Sequence, residues 1–315
     1  MKVAVEVRQG AAGPALPTVA VQVRRTLAWP VGQATIELPA GVAAPAAGSE
    51  VEISVAGDEG PRQPLLSGRV ASREQGLTGA RLWVAERTRA LADLHLDRSW
   101  QSTTAGSVIG ELARAASVPA LAFSPGAILP TLTLTRERSA LDHALRLARA
   151  SGLTLWVDGR GQLRLTSALP VPGRLRLDRR RALAEAEVEE VDAGDAGVTV
   201  QGEGALGKRG FGTENWVLSD PAAMIAGDGP AVLSHALLKT SADVRQLALA
   251  ETSRRREQAR PRQLTVAEAL TVDLFDVVRL AGFTEREEAA RVVALDTDFD
   301  GRCGYRCRLQ LQGVA

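Results

Sequence analysis

A short pattern occurs twice in this chain, near its start and at its end, and it restricts the fold more than any other feature. The first copy comprises Val51-Glu-Ile-Ser-Val-Ala-Gly57, Ser67-Gly-Arg-Val70 and Ala80-Arg-Leu-Trp-Val-Ala85. The second comprises Asp276-Val-Val-Arg-Leu-Ala-Gly282, Ala290-Arg-Val292 and Tyr305-Arg-Cys-Arg-Leu-Gln-Leu311. Alternating apolar and polar residues between glycine turns predict three antiparallel strands in each copy.

The two copies share two short sequence matches. Ala-Gly ends the first strand of each, and Arg-Val opens the second strand of each. Three chains that each carry two similar β modules would place six modules around a closed ring. The connections from Gly57 to Arg69 and from Gly282 to Arg291 differ in length, so we expect the six positions to be similar rather than identical.

Composition excludes several classes of function. The 315 residues predict two or three domains, and a net charge of +1 gives no strong attraction to nucleic acid or membrane. Aromatic residues make up 3%, too few for a base-stacking surface or an aromatic sugar platform. Cys303 and Cys307 cannot form a disulfide framework or a zinc set, and they are either two reduced thiols or one local bridge within a hairpin.

The beginning of the chain predicts a strand and no targeting segment. Met1–Val7 alternates apolar and polar residues, unlike the core of a signal peptide. No apolar run approaches the roughly 20 residues that a membrane helix needs. We therefore expect a protein without a membrane anchor that is made and folded in the cytosol.

Residues 1–97 predict a first small antiparallel β-barrel. Segments rich in Pro, Gly and Ala separate short alternating runs, which is typical of such barrels. The predicted strands are Met1–Val7, Thr18–Thr26, Gln33–Leu38, Glu50–Val55, Leu65–Ser72 and Ala80–Arg87.

Residues 98–168 predict an α/β domain inserted between β regions. Polar residues 101–104 precede a helix over Ala105–Ser117. Ser139 lies three residues before Asp142, as in a capping box, and Gly152 is suited to end this second helix. Asp158-Gly-Arg-Gly161 then predicts a hairpin turn between the strands Leu153–Val157 and Gln162–Thr166.

Residues 169–315 predict a second β-barrel with a helical excursion over about 222–260. A helix over Ala242–Gln258 carries Val244, Leu247 and Ala248 on one face. The predicted strands are Arg174–Leu177, Ala184–Val191, Val198–Gly202, Gln263–Ala267, Val277–Leu280, Arg291–Asp298 and Gly304–Leu311. The chain is therefore expected to be mainly β with an α+β insert.

One glycine-rich segment invites a nucleotide-binding interpretation. Gly202-Glu-Gly-Ala-Leu-Gly-Lys208 nearly satisfies the phosphate-loop pattern and follows an apolar strand. Arg209 occupies the position of the Mg²⁺-binding hydroxyl, and the residues that follow do not begin a helix. A loop without catalytic function is the simpler interpretation, and a tail-associated hydrolase or nucleotide-binding enzyme is the alternative.

The remaining polar residues do not assemble a catalytic, cofactor or metal site in sequence. The three histidines, His95, His143 and His235, lie in separate segments without metal-ligand spacing. Arg254, Arg255 and Arg256 begin a basic stretch that continues to Arg262. They either face a polyanion or lie at a solvated helix end, where positive charge complements the helix dipole.

The order of motifs from Leu66 to Leu165 resembles a known family, the baseplate hub proteins of contractile tails. This family includes the phage late control D proteins and the N-terminal hub part of VgrG spikes. The segment that begins at Asp276 also matches the family's second barrel. The matching motifs are Ser67-Gly-Arg-Val70, Asp97-Arg-Ser-Trp100, Val108-Ile-Gly-Glu-Leu-Ala113, Glu137-Arg-Ser-Ala-Leu141 and Ser151-Gly-Leu-Thr-Leu-Trp-Val-Asp-Gly159.

The resemblance implies a homotrimer with two barrels per subunit, in which the barrels form a pseudo-sixfold ring continuous with a sixfold tail tube. The α/β insert would hang toward a threefold central spike, which a separate subunit would supply because the chain stops after the second barrel. The implied function is that of a structural adaptor in a virion tail or injection-particle baseplate, assembled in the bacterial cytoplasm.

The resemblance implies no enzymatic activity and no cofactor. The implied partners are the tail tube protein, the spike protein, the tape-measure protein and transiting DNA. Arg254, Arg255 and Arg256 are the candidate channel-facing residues.

Overall fold

The computed structural model describes residues 3–10, 12–57, 61–121, 123–167, 175–187, 196–202, 225–235, 237–238, 240–259, 261–267, 271–283 and 287–314. Over these ranges the chain is mainly β, with few helices. Its main sheet has thirteen strands and curls around two separate hydrophobic cores. Smaller α/β units complete the molecule.

The N-terminal strands form the first module and confirm the six predicted strands with small shifts at their ends. They lie in the order β3-β4-β7-β6-β5-β1-β2. Alternate residues such as Val21, Ile36 and Leu82 point into one core because successive side chains of a strand face opposite sides. The strands are β1 (Ala4–Arg8), β2 (Ala15–Leu16), β3 (Ala20–Thr26), β4 (Gln33–Pro39), β5 (Glu50–Ala56), β6 (Gln63–Gly76) and β7 (Gly79–Glu86).

The insert contains both predicted helices and the predicted hairpin. The Thr104 hydroxyl accepts from Ser107 N–H at 3.2 Å, and the Ser139 hydroxyl accepts from Asp142 N–H at 3.1 Å. Gly152, at φ +65°, ends the second of these helices. The elements are α1 (Arg89–Asp93), β8 (Arg98–Thr104), α2 (Ala105–Ala115), β9 (Ile128–Leu134), α3 (Ala140–Ala150), β10 (Leu153–Val157) and β11 (Leu163–Ser167).

The C-terminal region contributes the second module and a small α/β unit. Its main-sheet strands lie in the order β13-β17-β20-β19, with β18 paired to β19 and β12 paired to β18. The elements are β12 (Arg176–Asp178), β13 (Ala182–Glu187), β14 (Val198–Gly202), β15 (Ile225–Ala226), β16 (Ala231–His235), α4 (Ser241–Gln258), β17 (Pro261–Val266), β18 (Val277–Ala281), β19 (Glu288–Asp300) and β20 (Gly304–Gly313).

The excursion over 222–260 contains the predicted helix, which is α4, and also two strands that were not predicted. These strands, β15 and β16, flank β14 in a three-stranded sheet covered by α4. Val198 and Val200 pack against Val244 and Leu247 on the predicted face of that helix. Short strands such as β15 and β16 depend on pairing with the distant β14, and this pairing has no signal in the local sequence.

The two modules share one strand order, although β1 runs antiparallel to β5 whereas β12 runs parallel to β18. The order β3-β4-β7-β6-β5-β1 recurs as β13-β17-β20-β19-β18-β12, and both series follow the same order along the chain. In both modules the ladder register shifts by one residue directly after the Arg-Val match: between Val70 and Ser72 in β6, and between Val292 and Ala294 in β19. The repeat in the sequence is therefore a repeat in the structure.

The ladder registers correct one detail of the sequence match. Val51 opposes Gly68 and Val278 opposes Ala290, so Val51 corresponds to Val278 rather than to Asp276. The two Arg-Val pairs occupy equivalent positions in the ladders, whereas the two Ala-Gly pairs are offset from each other by two residues. The reason is that β5 has seven residues and a register shift at Ile53, whereas β18 has five residues and a regular ladder.

One antiparallel pairing, between β3 and β19, joins the two modules. Residues 20–26 pair with residues 294–300. Backbone hydrogen bonds from Leu27 to Val293 at 2.8 Å and from Gly301 to Val19 at 3.0 Å extend this ladder at both ends. The two modules therefore share one continuous sheet.

Candidate functional site

Arg25 is a buried charge at the point where the two modules and the insert meet. One Nη atom lies 2.6 Å from Asp273 Oδ1, and the other donates to the Val157 carbonyl at 2.5 Å. Its Nε lies 3.6 Å from Glu86 Oε1. These partners belong to the second module, the insert and the first module, so one side chain ties all three together. We refer to Arg25, Glu86 and Asp273 as the Arg25 cluster.

Strand alternation places two members of the Arg25 cluster on the core side of the first module. Arg25 continues the buried series of Val21 and Val23, and Glu86 continues that of Leu82 and Val84. Composition and motifs did not identify these two residues. The sequence does contain an indication of their burial, because each charged residue follows apolar residues two and four positions earlier in its strand.

Two glycines allow the close approaches around the Arg25 cluster. Gly32 N–H donates to Glu86 Oε2 at 2.7 Å, and a Cβ at Gly32 would lie 2.9 Å from the Arg25 side chain. Gly159 N–H donates to Asp273 Oδ2 at 2.8 Å, and a Cβ at Gly159 would lie 2.1 Å from the Pro64 carbonyl. The predicted hairpin of the insert is thus a docking element.

Burial raises the pKa of Glu86 to about 7, even though Arg25 and the Gly32 N–H favour its charged form. The carboxylates of Asp273 and Asp158 act in the same direction as burial. The folded protein therefore holds a proton on Glu86 at pH values where the unfolded chain has released it.

This proton gives stability a pH dependence of defined sign. We expect the free energy of unfolding to fall as pH rises from about 4.5 to about 7, because the folded state binds the proton more tightly than the unfolded state. Since one pKa unit corresponds to about 1.4 kcal/mol, the loss is on the order of 3 kcal/mol. Urea denaturation at pH 5, 6, 7 and 8 measures it.

The matched control for this prediction is Glu86→Gln, which has the same shape and does not titrate. Burial also raises the pKa of Asp276, but this contribution is common to both proteins and cancels in their difference. Parallel pH profiles for the wild type and Glu86→Gln would contradict the assignment.

Helix α4 docks onto the second module through a second buried ion pair. Glu257 accepts from Arg291 at 3.1 Å (Nε to Oε2) and 3.0 Å (Nη2 to Oε1), and both side chains are buried. The Arg291 guanidinium lies 4.2 Å from the centre of the Phe275 ring, which stacks on Trp156 of the insert at a centroid distance of 5.8 Å. The helix, the sheet and the insert thus meet at one aromatic contact.

Helix α4 also contacts α3 of the insert. Glu251 follows Val244, Leu247 and Ala248 on the buried face at helical spacing. It accepts from Arg149 Nε at 3.2 Å and is also paired with Arg254. The Gln246 amide donates to the Ser151 carbonyl at 3.0 Å. Helix α4 therefore bridges the insert and the second module.

The three candidate channel-facing arginines do not share one environment. Arg254 is half-buried against Glu251, and Arg254 and Arg255 line a cleft of about 670 Å³ between α4, α3, β10 and β20. Arg256 is exposed. Consecutive helix residues point about 100° apart, so the three cannot face one surface together. Their channel-facing role stays a prediction, and the contacts of Arg254 indicate docking.

The continuous sheet turns a polar, concave face away from its two cores, over a depression of about 780 Å³. Ion pairs cross neighbouring strands on this face: Arg81 with Glu37 at 2.5 Å, Arg24 with Asp296 at 3.4 Å, and Arg308 with Asp296 at 3.5 Å. Positive and negative side chains alternate on this face. It therefore presents no concentrated positive charge that would bind a polyanion. The residues that line the depression include Gln22, Thr35, Glu37, Arg81, Trp83, Asp296, Asp298, Arg306 and Arg308.

The other sequence candidates take structural positions or lie outside the described residues. Gly202 ends β14, and residues 203–208 of the glycine-rich segment are not among the described residues. His143 Nε2 bonds to the Thr135 carbonyl at 3.0 Å. Cys303 is exposed, Cys307 is buried, and both are free thiols.

The described residues contain neither a metal-binding cluster nor a membrane-spanning helix. Within those ranges, no group of His, Cys, Asp and Glu side chains could hold a metal ion. No helix in the part of the chain that the structure covers has the length and apolar character needed to cross a membrane.

The fold is shared with solved tail proteins. A 43 kDa tail protein of prophage MuSo2 from Shewanella oneidensis aligns with a TM-score of 0.72 at 13% identity, covering 98% of each chain. The tail protein from Neisseria meningitidis MC58 aligns with a TM-score of 0.73 at 13% identity, covering 99% of this chain and 97% of that one.

A component of the E. coli type VI secretion system aligns with a TM-score of 0.58 at 10% identity, covering all of this chain and 77% of that one. That component is structurally similar to the T4 bacteriophage tail proteins gp27 and gp5. No protein-family model matches the sequence, and no curated protein matches it significantly. The chain thus has the mainly β fold of phage tail and type VI secretion proteins.

Proposed function

We propose that this chain is a structural hub subunit of a phage tail or related contractile injection particle. Three copies form a pseudo-sixfold ring that adapts a sixfold tail tube to a threefold central spike. The similarity of fold to tail proteins supports this role. The proposed partners are further copies of this chain, the tube protein and the spike protein, with the tape-measure protein and DNA passing through the axial channel.

The observation that carries the proposal is the repeated module. Each chain holds two β units of one strand order, joined edge to edge by β3 and β19. A closed ring of three chains then presents six similar positions on one side and three inserts on the other. This function requires no chemical step, because the ring only has to match the sixfold symmetry of the tube to the threefold symmetry of the spike.

The proposed division of labour follows the three segments predicted from the sequence. Residues 1–97 and 169–315 supply the two ring modules, and residues 98–168 supply the insert that faces the spike. The polar concave face of the continuous sheet lines the channel. Its balanced charges suit passage of a polymer, because they give it little net attraction at any one point.

The test is the mass of the purified protein by light scattering across micromolar concentrations. We expect close to three times 33.3 kDa, and a ring with an axial hole by electron microscopy. A strictly monomeric protein over that range, together with its absence from purified particles, would overturn the proposal.

A further inference from the structure

We propose that the ring closes by strand pairing between the outer half of β6 in one copy and β13 in the next. This inference rests on the proposed function and adds the residues that would form the interface. The partner is a second copy of this chain. The observation behind it is the joint that already exists inside each chain.

The internal joint supplies the template. Strand β3 is the edge of the first module, and it pairs with β19 of the second module along residues 294–300, beyond the register shift. The Arg24–Asp296 ion pair at 3.4 Å crosses this joint on the polar face. The first module thus offers an edge strand and the second module offers the outer half of a bent strand.

The repeat identifies the complementary pair of edges. Strand β13 has the place in the second module that β3 has in the first, and β6 has the place of β19. Counting from the two shared register shifts, residues 72–76 correspond to residues 294–298. Within the described residues, β13 pairs with β17 alone, and residues 72–76 pair with β7 alone.

The outer half of β6 is exposed, whereas the corresponding half of β19, which pairs with β3, is partly buried. Residues 71–78 are all exposed, whereas Leu295 is 7% exposed and Thr297 is 4% exposed. The corresponding residues in β6 are Arg73 and Gln75. An exposed edge strand rich in polar and charged residues resists unspecific aggregation while remaining competent to pair with one partner. Pairing with β13 would cover this edge as β3 covers β19.

The count of edges favours a second copy as the occupant. As far as the described part of the chain shows, each copy carries one open β6 edge and one open β13 edge, and these two edges are different. Such an interface is heterologous, so it makes rings when the rotation closes. Each chain contributes one joint between its own two modules and one proposed joint to the next chain. Three chains therefore have six joints between six modules, which closes the ring.

A disulfide cross-link tests the register. In the template Gln22 opposes Asp298, and the corresponding residues are Ala186 and Gly76. This pair lies between hydrogen-bonded pairs, where Cα atoms are about 4.5 Å apart. A Cβ at Gly76 meets nothing closer than the Gly79 carbonyl at 3.7 Å. The variant is Gly76→Cys with Ala186→Cys in a Cys303→Ser background, oxidised mildly.

The expected result is a covalent trimer on a non-reducing gel that a reductant returns to monomer. The matched control places the second cysteine outside the main sheet, as Gly76→Cys with Ser107→Cys, and is expected to give no covalent trimer. A trimer by light scattering that fails to cross-link through 76 and 186 would overturn the strand pairing and leave the hub function standing. A monomeric wild type would overturn both.

A proline variant tests the same edge independently. In the joint between β19 and β3, residues 293, 295 and 297 of β19 form the hydrogen-bonded pairs. Residues 295 and 297 correspond to Arg73 and Gln75, so the N–H groups of Arg73 and Gln75 point to the open edge. Gln75→Pro removes one of these donors without removing a bond to β7. We expect at least a tenfold weaker trimer with an unchanged monomer melting temperature, and unchanged trimer affinity would count against the pairing.

Discussion

Replacing Arg25 with methionine is expected to lower the free energy of unfolding by about 3–5 kcal/mol. The Arg25 side chain is 3% exposed, and its removal takes the cation away from the Asp273 carboxylate and forces the buried Glu86 carboxyl to stay protonated. It also removes the donor to the Val157 carbonyl, which faces the same interior. Urea denaturation near pH 7 measures the loss.

The adjacent residue provides the matched control. Arg24 lies on the same strand and pairs with Asp296, but its side chain is 65% exposed. Arg24→Met should therefore cost less than about 1 kcal/mol, as is usual for surface ion pairs. Equal losses for the two variants would show that the Arg25 cluster does not hold the modules and the insert together.

Replacing Arg291 with methionine is the second large effect that we expect, again about 3–5 kcal/mol. The change leaves Glu257 buried on α4 and removes the cation above Phe275. Because Glu257 lies on α4, the loss should include undocking of this helix. Hydrogen exchange resolved by segment should show faster exchange over Ser241–Gln258.

A second substitution separates the ion pair from simple loss of packing. Glu257→Gln combined with Arg291→Met removes the orphaned charge and should recover part of the lost stability. If the double variant is no more stable than Arg291→Met alone, packing around Phe275 rather than the buried charge dominates this contact.

Local sequence predicted most elements of the fold because their signals are short-range. Alternation around Ile36 and Leu82 predicted strands, and the caps Ser139 and Gly152 predicted the bounds of a helix. The two-residue match Arg-Val helped to predict the repeat, and the ladders place a register shift directly after it in both copies.

Local sequence did not predict the structure of segments that depend on a distant partner. The polar run 101–104 was predicted only as a cap, yet it also forms most of strand β8 because β9 pairs with it. Arg25, Glu86 and Glu257 were passed over because a charged residue in an alternating or helical pattern is ordinarily solvated. Their burial depends on partners up to 248 residues away in the chain.

The sequence by itself determined that the chain carries two similar β modules around an α/β insert, because strand period, turns and caps are set by neighbouring residues. Only the tertiary structure decided how the modules join and which charges are buried. Edge pairing between β3 and β19 and the Arg25 cluster unite residues from distant segments. Their free energy comes from desolvation and geometry that exist only once the chain has folded.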